Sequence, residues 1–148
     1  MKFSPVAIED TLNLCIQFRR DAHKVSFGSY EGFSVSDTAS WFQRLLSFTD
    51  FGFYHVTQDS EIIGQIEYRY NLVDEQGEKY GYINLLYLLP DFRGNGLGLK
   101  LQEYILAQFK TEHCKYAQLR YLPTNIQAMA FYRKHGWEDV GSLGEHGQ

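Results

Sequence analysis

Gly94, Gly96 and Gly98 alternate within the stretch PDFRGNGLGLK, residues 90–100, and Arg93 stands directly in front of them. The near-continuous apolar run YGYINLLYLLP before this stretch reads as a strand buried on both faces, and GLGLKLQEYILAQFK after it has helical apolar spacing. The glycines therefore fall where a strand turns into a helix. At such a point the unpaired N–H groups of the first helical turn and the positive end of the helix dipole converge, which makes a site for an anion without any side chain. Glycine supplies backbone angles barred to other residues and removes the β-carbons that would hold phosphate oxygens away. Arg93 adds positive charge. A lone glycine here would be read as a packing turn, but three in alternation behind an arginine favour the anion. Two familiar phosphate loops do not fit: no Lys-Ser/Thr pair follows Gly98, and the spacing misses the dinucleotide G-x-G-x-x-G register.

The surrounding elements can be read from periodicity. KFSPVAI is a short edge strand, and a first helix is expected from about Glu9 to His23. Ser36 or Asp37 is placed to cap a second helix carrying Trp41, Leu45 and Phe48 and ending near Thr49. FGFYHVTQ and EIIGQIEYRYN form a hairpin across Asp59-Ser60, and the loop LVDEQGEK leads to the buried strand. After the glycine turn the helical stripe Leu97, Leu101, Tyr104, Ile105 precedes the strand YAQLRYL, a strand–helix–strand crossover. TNIQAMAFYRKHG is a last helix, with Thr124 and Gln127 in capping-box positions and Gly136 at its end, before a short strand from Trp137. The order is βααβββαβαβ, an α/β (α+β) fold with a mixed central sheet, and the polar tail VGSLGEHGQ leaves the final strand open.

Composition bounds the function. At 148 residues, 44% hydrophobic and 22% charged, the chain fits one domain, 1–148, with a single core. A net charge of −4 argues against phosphate-led binding of nucleic acid. No signal-peptide pattern or window of ~20 apolar residues occurs, so a cytoplasmic protein without a membrane partner is expected. Cys15 and Cys114 stand too far apart for a metal-type spacing and read as small buried hydrophobes. The five histidines are scattered, with surface or capping roles expected, and no metal is expected. FRRDAHK, residues 19–24 with Phe18, reads as a solvated helix end in preference to an acid-binding patch. Tyr68, Tyr70, Tyr80, Tyr82 and Tyr87 read mainly as cross-strand packing, with one or two left for a pocket.

The loop Arg93-Gly94-Asn95-Gly96-Leu97-Gly98 resembles the Q/R-x-x-G-x-G/A loop of the GCN5-related N-acetyltransferases, the GNAT family. NIQAMAFYRKHGW resembles that family's later motif through Asn125, Ala128, Phe131-Tyr132 and Gly136-Trp137. The resemblance implies that the loop holds the pyrophosphate of acetyl-CoA, the cosubstrate, and that Asn125 and Ala128 border the pantetheine arm. It further implies that backbone N–H groups from Leu86 through Tyr87 to Leu88 polarise the thioester, and that Tyr132 protonates the departing thiolate. Ala128 and Tyr132, four apart, project from one helix face, and a tyrosine hydroxyl stays protonated at neutral pH. Phe131 is assigned to the core. The expected activity is acetyl transfer to a primary amine by direct attack in a ternary complex, with both cysteines dispensable; the alternative is a non-catalytic CoA-binding regulatory or scaffold domain.

One departure from the family concerns the base. Where many relatives carry a strand carboxylate, this chain has Tyr82 and Asn84. Glu67 on the neighbouring strand is the substitute candidate, set against an ordinary exposed strand glutamate. The acceptor amine is not legible, and the open sheet edge together with the resemblance suggests a homodimer.

Overall fold

The computed structural model describes residues 1–120 and 125–134. Strand β1 (Lys2–Pro5) leads to helices α1 (Ile8–Phe27) and α2 (Val35–Ser47), then to β2 (Phe51–Gln58), β3 (Glu61–Val73) and β4 (Lys79–Leu88). A 3-10 turn at Pro90–Phe92 precedes α3 (Leu97–Thr111), β5 (Tyr116–Leu119) and α4 (Ile126–Lys134). The strands form one sheet in the order β1-β2-β3-β4-β5. The first three pairings are antiparallel and the last, β4 with β5, is parallel. This is the expected mixed sheet flanked by helices; a strand from Trp137 and a cap at Gly136 lie outside the described residues.

Local chemistry sets the boundaries. α1 continues a turn past the expected His23 because nothing breaks it before Gly28, whose left-handed φ of 83° lets its N–H close on the Lys24 carbonyl. α2 is capped by Ser34, not by Ser36 or Asp37: the extended backbone of Ser34 turns its hydroxyl to accept the Asp37 N–H at 3.1 Å. The β2–β3 hairpin turns on Asp59 and Ser60, both at positive φ, as a two-residue turn matched to strand twist requires.

Two cores cover the sheet. On one face Leu101, Ile105 and Phe109 of α3 bury against Val56, Ile66, Tyr68 and Ile83. On the other, Cys15, Phe42, Leu45 and Phe53 pack together, with Phe18 against Leu85 and Tyr87 beside them. α3 lies so close to β4 that a β-carbon on Gly81 would meet the Phe109 ring at 2.5 Å. Gly81→Ala is therefore expected to overpack this contact and lower stability by about 1–3 kcal/mol, read as a lower midpoint in urea at unchanged slope.

Candidate functional site

The glycine turn has the geometry of an anion cradle at two of its three positions. Gly94 and Gly96 adopt φ of 81° and 88°, and β-carbons built there would meet no atom of the described residues within 4 Å. Gly96 is the N-cap of α3 and, having no side chain, cannot cap it, so the N–H groups of Gly98 and Leu99 in the first turn have no intrahelical partner. Asn95 leans over this end, its Oδ1 3.4 Å from the Leu97 N–H. Gly98 serves packing instead: a β-carbon there would stand 3.3 Å from the Phe131 ring of α4, so its absence lets α4 approach α3.

Among the described residues, the strand feeding this turn is paired on only one side at its end. The last pair between β4 and β5 is Ile83 with Leu119, whereas β3 accompanies β4 as far as Leu88. The Leu89 N–H donates to the Ile63 carbonyl at 2.8 Å. Because backbone direction alternates along a ladder, Tyr87 and Leu85 also turn towards β3, and Leu86 and Leu88 turn away. The Leu88 carbonyl accordingly accepts from Arg93 Nε at 2.7 Å. Of the three expected polarising groups, then, Leu86 and Leu88 face the parting between β4 and β5; the Tyr87 backbone belongs to the β3 ladder. At the start of the parting, Asn84 Oδ1 is buried with no hydrogen-bond partner among the described residues.

α4 brings the second motif to the same region. Asn125 caps it, Oδ1 accepting the Ala128 N–H at 3.1 Å, while Nδ2 donates to Ser26 Oγ of α1 at 3.4 Å. The cap thus falls on Asn125, and Thr124 of the expected capping box lies outside the described residues. Phe131 packs on Gly98 and, edge to face, on Tyr132 with 5.2 Å between centroids. Burial pushes the Tyr132 phenol up to about 12, so it carries its proton at neutral pH.

Arg93 does not point over the cradle. Its guanidinium ion-pairs with Asp21 of α1 at 3.0 Å and lies 5.3 Å from the Tyr87 ring, whose hydroxyl donates to the same Asp21 oxygen. Burial, followed by the Asp21 carboxylate, pushes the Tyr87 phenol well above its ordinary value, so the hydroxyl remains a donor. Beside this cluster a groove of about 400 Å³ runs between α1 and the ends of β3 and β4, lined by Gln17, Phe18, Asp21, Tyr30, Ile62 and Tyr87. FRRDAHK is thus no solvated helix end. Asp21 is the groove-lining residue that periodicity should have flagged, since Leu14, Phe18 and Asp21 share a helix face and an acid on an apolar stripe needs a partner.

Glu67 is fully buried, not the exposed strand position weighed from sequence. Oε1 accepts from Arg19 Nη2 and from Trp41 Nε1 at 2.6 Å; Oε2 accepts from Arg19 Nε at 3.2 Å and from Gln65 Nε2 at 2.9 Å. A carboxylate has about four lone-pair positions, and all are occupied. It can take a proton only if a donor leaves. The network fixes hydrogens further in: Gln65 turns its amide nitrogen to Glu67, so its oxygen faces His55 Nε2 at 2.9 Å and that nitrogen must carry the proton. His55 is consequently no base for Cys15, 3.5 Å away, whose thiol burial pushes up to about 11. His55 is a core histidine, contrary to the surface role expected. Among the described residues no group of His, Cys, Asp and Glu could hold a metal, and no helix is long and apolar enough to cross a membrane.

The chain matches the acetyltransferase (GNAT) family over residues 16–137, and it belongs to that family. An aminoglycoside antibiotic 6'-N-acetyltransferase from Acinetobacter haemolyticus superimposes with a TM-score of 0.77 at 16% identity, over 100% of this chain and 98% of its own. A transcriptional regulator from Bacillus halodurans C-125 gives 0.77 at 18% identity over 98% of each chain. The aminoglycoside N-acetyltransferase AAC(6')-Iy, solved in complex with CoA, gives 0.70 at 13% identity over 99% of this chain and 92% of its own. At these identities the likeness is one of fold. No curated protein matches the chain.

Two outcomes test the buried network. Glu67→Gln puts an amide nitrogen among donors and leaves Arg19 without its counter-charge; stability should fall by about 3 kcal/mol, the low end for a buried pair because Arg19 keeps partial access to water. Burial lowers the His55 pKa below the ordinary 6.5. The unfolded chain therefore binds the extra proton first, and stability should decline as pH falls through about 6.5. Thermal midpoints between about pH 7 and pH 5.5 should show this slope in the wild type and a flatter one in His55→Asn.

Proposed function

We propose that the protein transfers an acetyl group from acetyl-CoA to a primary amine, by direct attack while both substrates are bound. The observation that carries the donor side is the turn at Gly94 and Gly96: positive φ, open space where β-carbons would stand, and the uncapped start of α3 behind it. A pyrophosphate fits these backbone donors and the helix dipole. The pantetheine arm would follow the parting beyond Ile83, with Ala128 on its α4 side and Asn84 Oδ1 available to an amide N–H.

In this reading the Leu86 and Leu88 N–H groups donate to the thioester carbonyl oxygen and stabilise the charge that develops as the amine nitrogen bonds to the carbonyl carbon. Tyr132 gives its hydroxyl proton to the sulfur as the carbon–sulfur bond breaks. The amine's surplus proton leaves to water through the groove beside α1, whose Gln17, Asp21 and Tyr30 provide a polar side for a small acceptor. Glu67 holds Arg19 of α1 and Trp41 of α2 against the sheet, and so fixes the wall of that groove. Cys15 takes no part, in keeping with its protonated thiol and the proton on His55 Nε2.

A second reading, a CoA-binding regulatory domain without turnover, is favoured by the occupied lone pairs of Glu67 and by the fold shared with the Bacillus halodurans regulator. Release of CoA thiol from acetyl-CoA across a panel of polyamines, aminoglycosides, amino acids and peptide amino termini separates the two; thermal stabilisation by CoA with no thiol release from any amine would overturn the enzyme. The donor site has its own test. Gly96→Val places a branched side chain in the open space and strains a residue at φ 88°, so calorimetry should show at least a tenfold loss of CoA affinity and little change for a pantetheine fragment lacking the pyrophosphate. Equal CoA affinity in the folded variant would assign the glycines to packing.

A further inference from the structure

The structure assigns to Asp21 the positioning of the glycine loop: through Arg93 it fixes where the chain leaves β4, and so presets the cradle that the CoA pyrophosphate enters. This role rests on the donor-site reading above. The loop needs such a device. Gly94 and Gly96 have no neighbour on their open side, and glycine keeps more backbone freedom to lose on binding than any other residue. One end of the loop is held by α3. The other depends on Arg93, which binds three parts of the fold: the Leu88 carbonyl through Nε, the Asp21 carboxylate through Nη2, and the Tyr87 ring beneath its face.

Asp21 is the centre of this clamp. One of its oxygens takes both the Arg93 guanidinium and the Tyr87 hydroxyl, joining α1, the end of β4 and the start of the loop. Arg93 contributes orientation, while its charge is balanced by the carboxylate; the attraction for phosphate then comes from the N–H groups and dipole of α3. Asp21 also lines the groove, so the clamp ties the acceptor side to the donor loop. Loss of the carboxylate has two opposing consequences. It loosens the loop, which weakens binding, and it frees the Arg93 cation, which would attract phosphate. Arg93 is partly exposed and screened by water and salt, so the loosening should dominate.

The test uses Asp21→Asn and Tyr87→Phe, each nearly isosteric and each leaving the helix and strand intact. In ligand-free protein, backbone NMR order parameters at residues 94–98 should fall in Asp21→Asn while α3 beyond its first turn and the sheet keep theirs. Calorimetry should show CoA affinity about tenfold weaker, with the pantetheine fragment unchanged, and Tyr87→Phe should give a smaller loss of the same kind. Asp21→Asn and Arg93→Ala should be non-additive, since both break one contact. Unchanged loop order parameters with wild-type CoA affinity would overturn the clamp while leaving the donor site standing. A gain in CoA affinity would mean that Asp21 only screens Arg93, and a parallel loss for CoA and fragment with order parameters lowered throughout would reduce Asp21 to general stability; either overturns the positioning role. A wild type that binds no CoA would overturn the donor-site reading and this role with it.

Discussion

The arrangement depends on one parallel pairing, that of β4 with β5. Parallel neighbours cannot be joined by a tight turn, so the chain must leave the end of β4, cross over the sheet and return, and α3 is that crossover. The constraint places a helix N-terminus at the end of the central strand. Orphan N–H groups and the dipole's positive end are thereby delivered to the end of β4, where among the described residues β5 no longer accompanies it beyond Ile83. Cradle and parting are consequences of the same connection: one presents helix N–H groups beside open glycines, the other leaves the backbone groups of Leu86 and Leu88 without a strand partner among the described residues.

The opposite face is organised by charge kept out of water. Glu67 at the middle of β3 accepts from Arg19 and Trp41, and through Gln65 it orients His55. Burying a carboxylate is costly unless every lone pair is met, and here the partners come from α1, α2 and the sheet itself. The result is a specified docking of both helices, which apolar contacts alone would define less sharply. α1 therefore carries two polar anchors two residues apart, Arg19 on Glu67 and Asp21 on Arg93, and the second reaches the start of the glycine loop. Family membership and geometry meet at this point: the fold supplies the crossover, and Asp21 and the Leu88 carbonyl hold Arg93 where the loop begins.

Much of the fold was legible because its signals are local. Aromatic and β-branched runs marked β2 and β3, Asp59-Ser60 marked their turn, and the change from strand to helix periodicity at residues 90–97 marked the crossover and its glycines. Local signals also named Gly94 and Gly96, where positive φ is required. They misplaced the α2 cap, which falls on Ser34 two or three residues before the expected Ser36 or Asp37, because several Ser, Thr and Asp residues compete within one turn and only the realised backbone angles choose among them.

What the sequence determined by itself was the chain's periodicity, its turn chemistry and the residue types that can meet a phosphate, since each depends on neighbours a few positions away. Tertiary structure alone decided which of those residues are occupied. Arg93 and Asp21 are 72 positions apart, Arg19 and Glu67 48 apart, and a charged side chain looks the same in sequence whether it faces water, a ligand or a counter-ion. Its role is set by what the packed elements bring within hydrogen-bond distance, because burial makes an unpaired charge costly and so lets the fold select the partner.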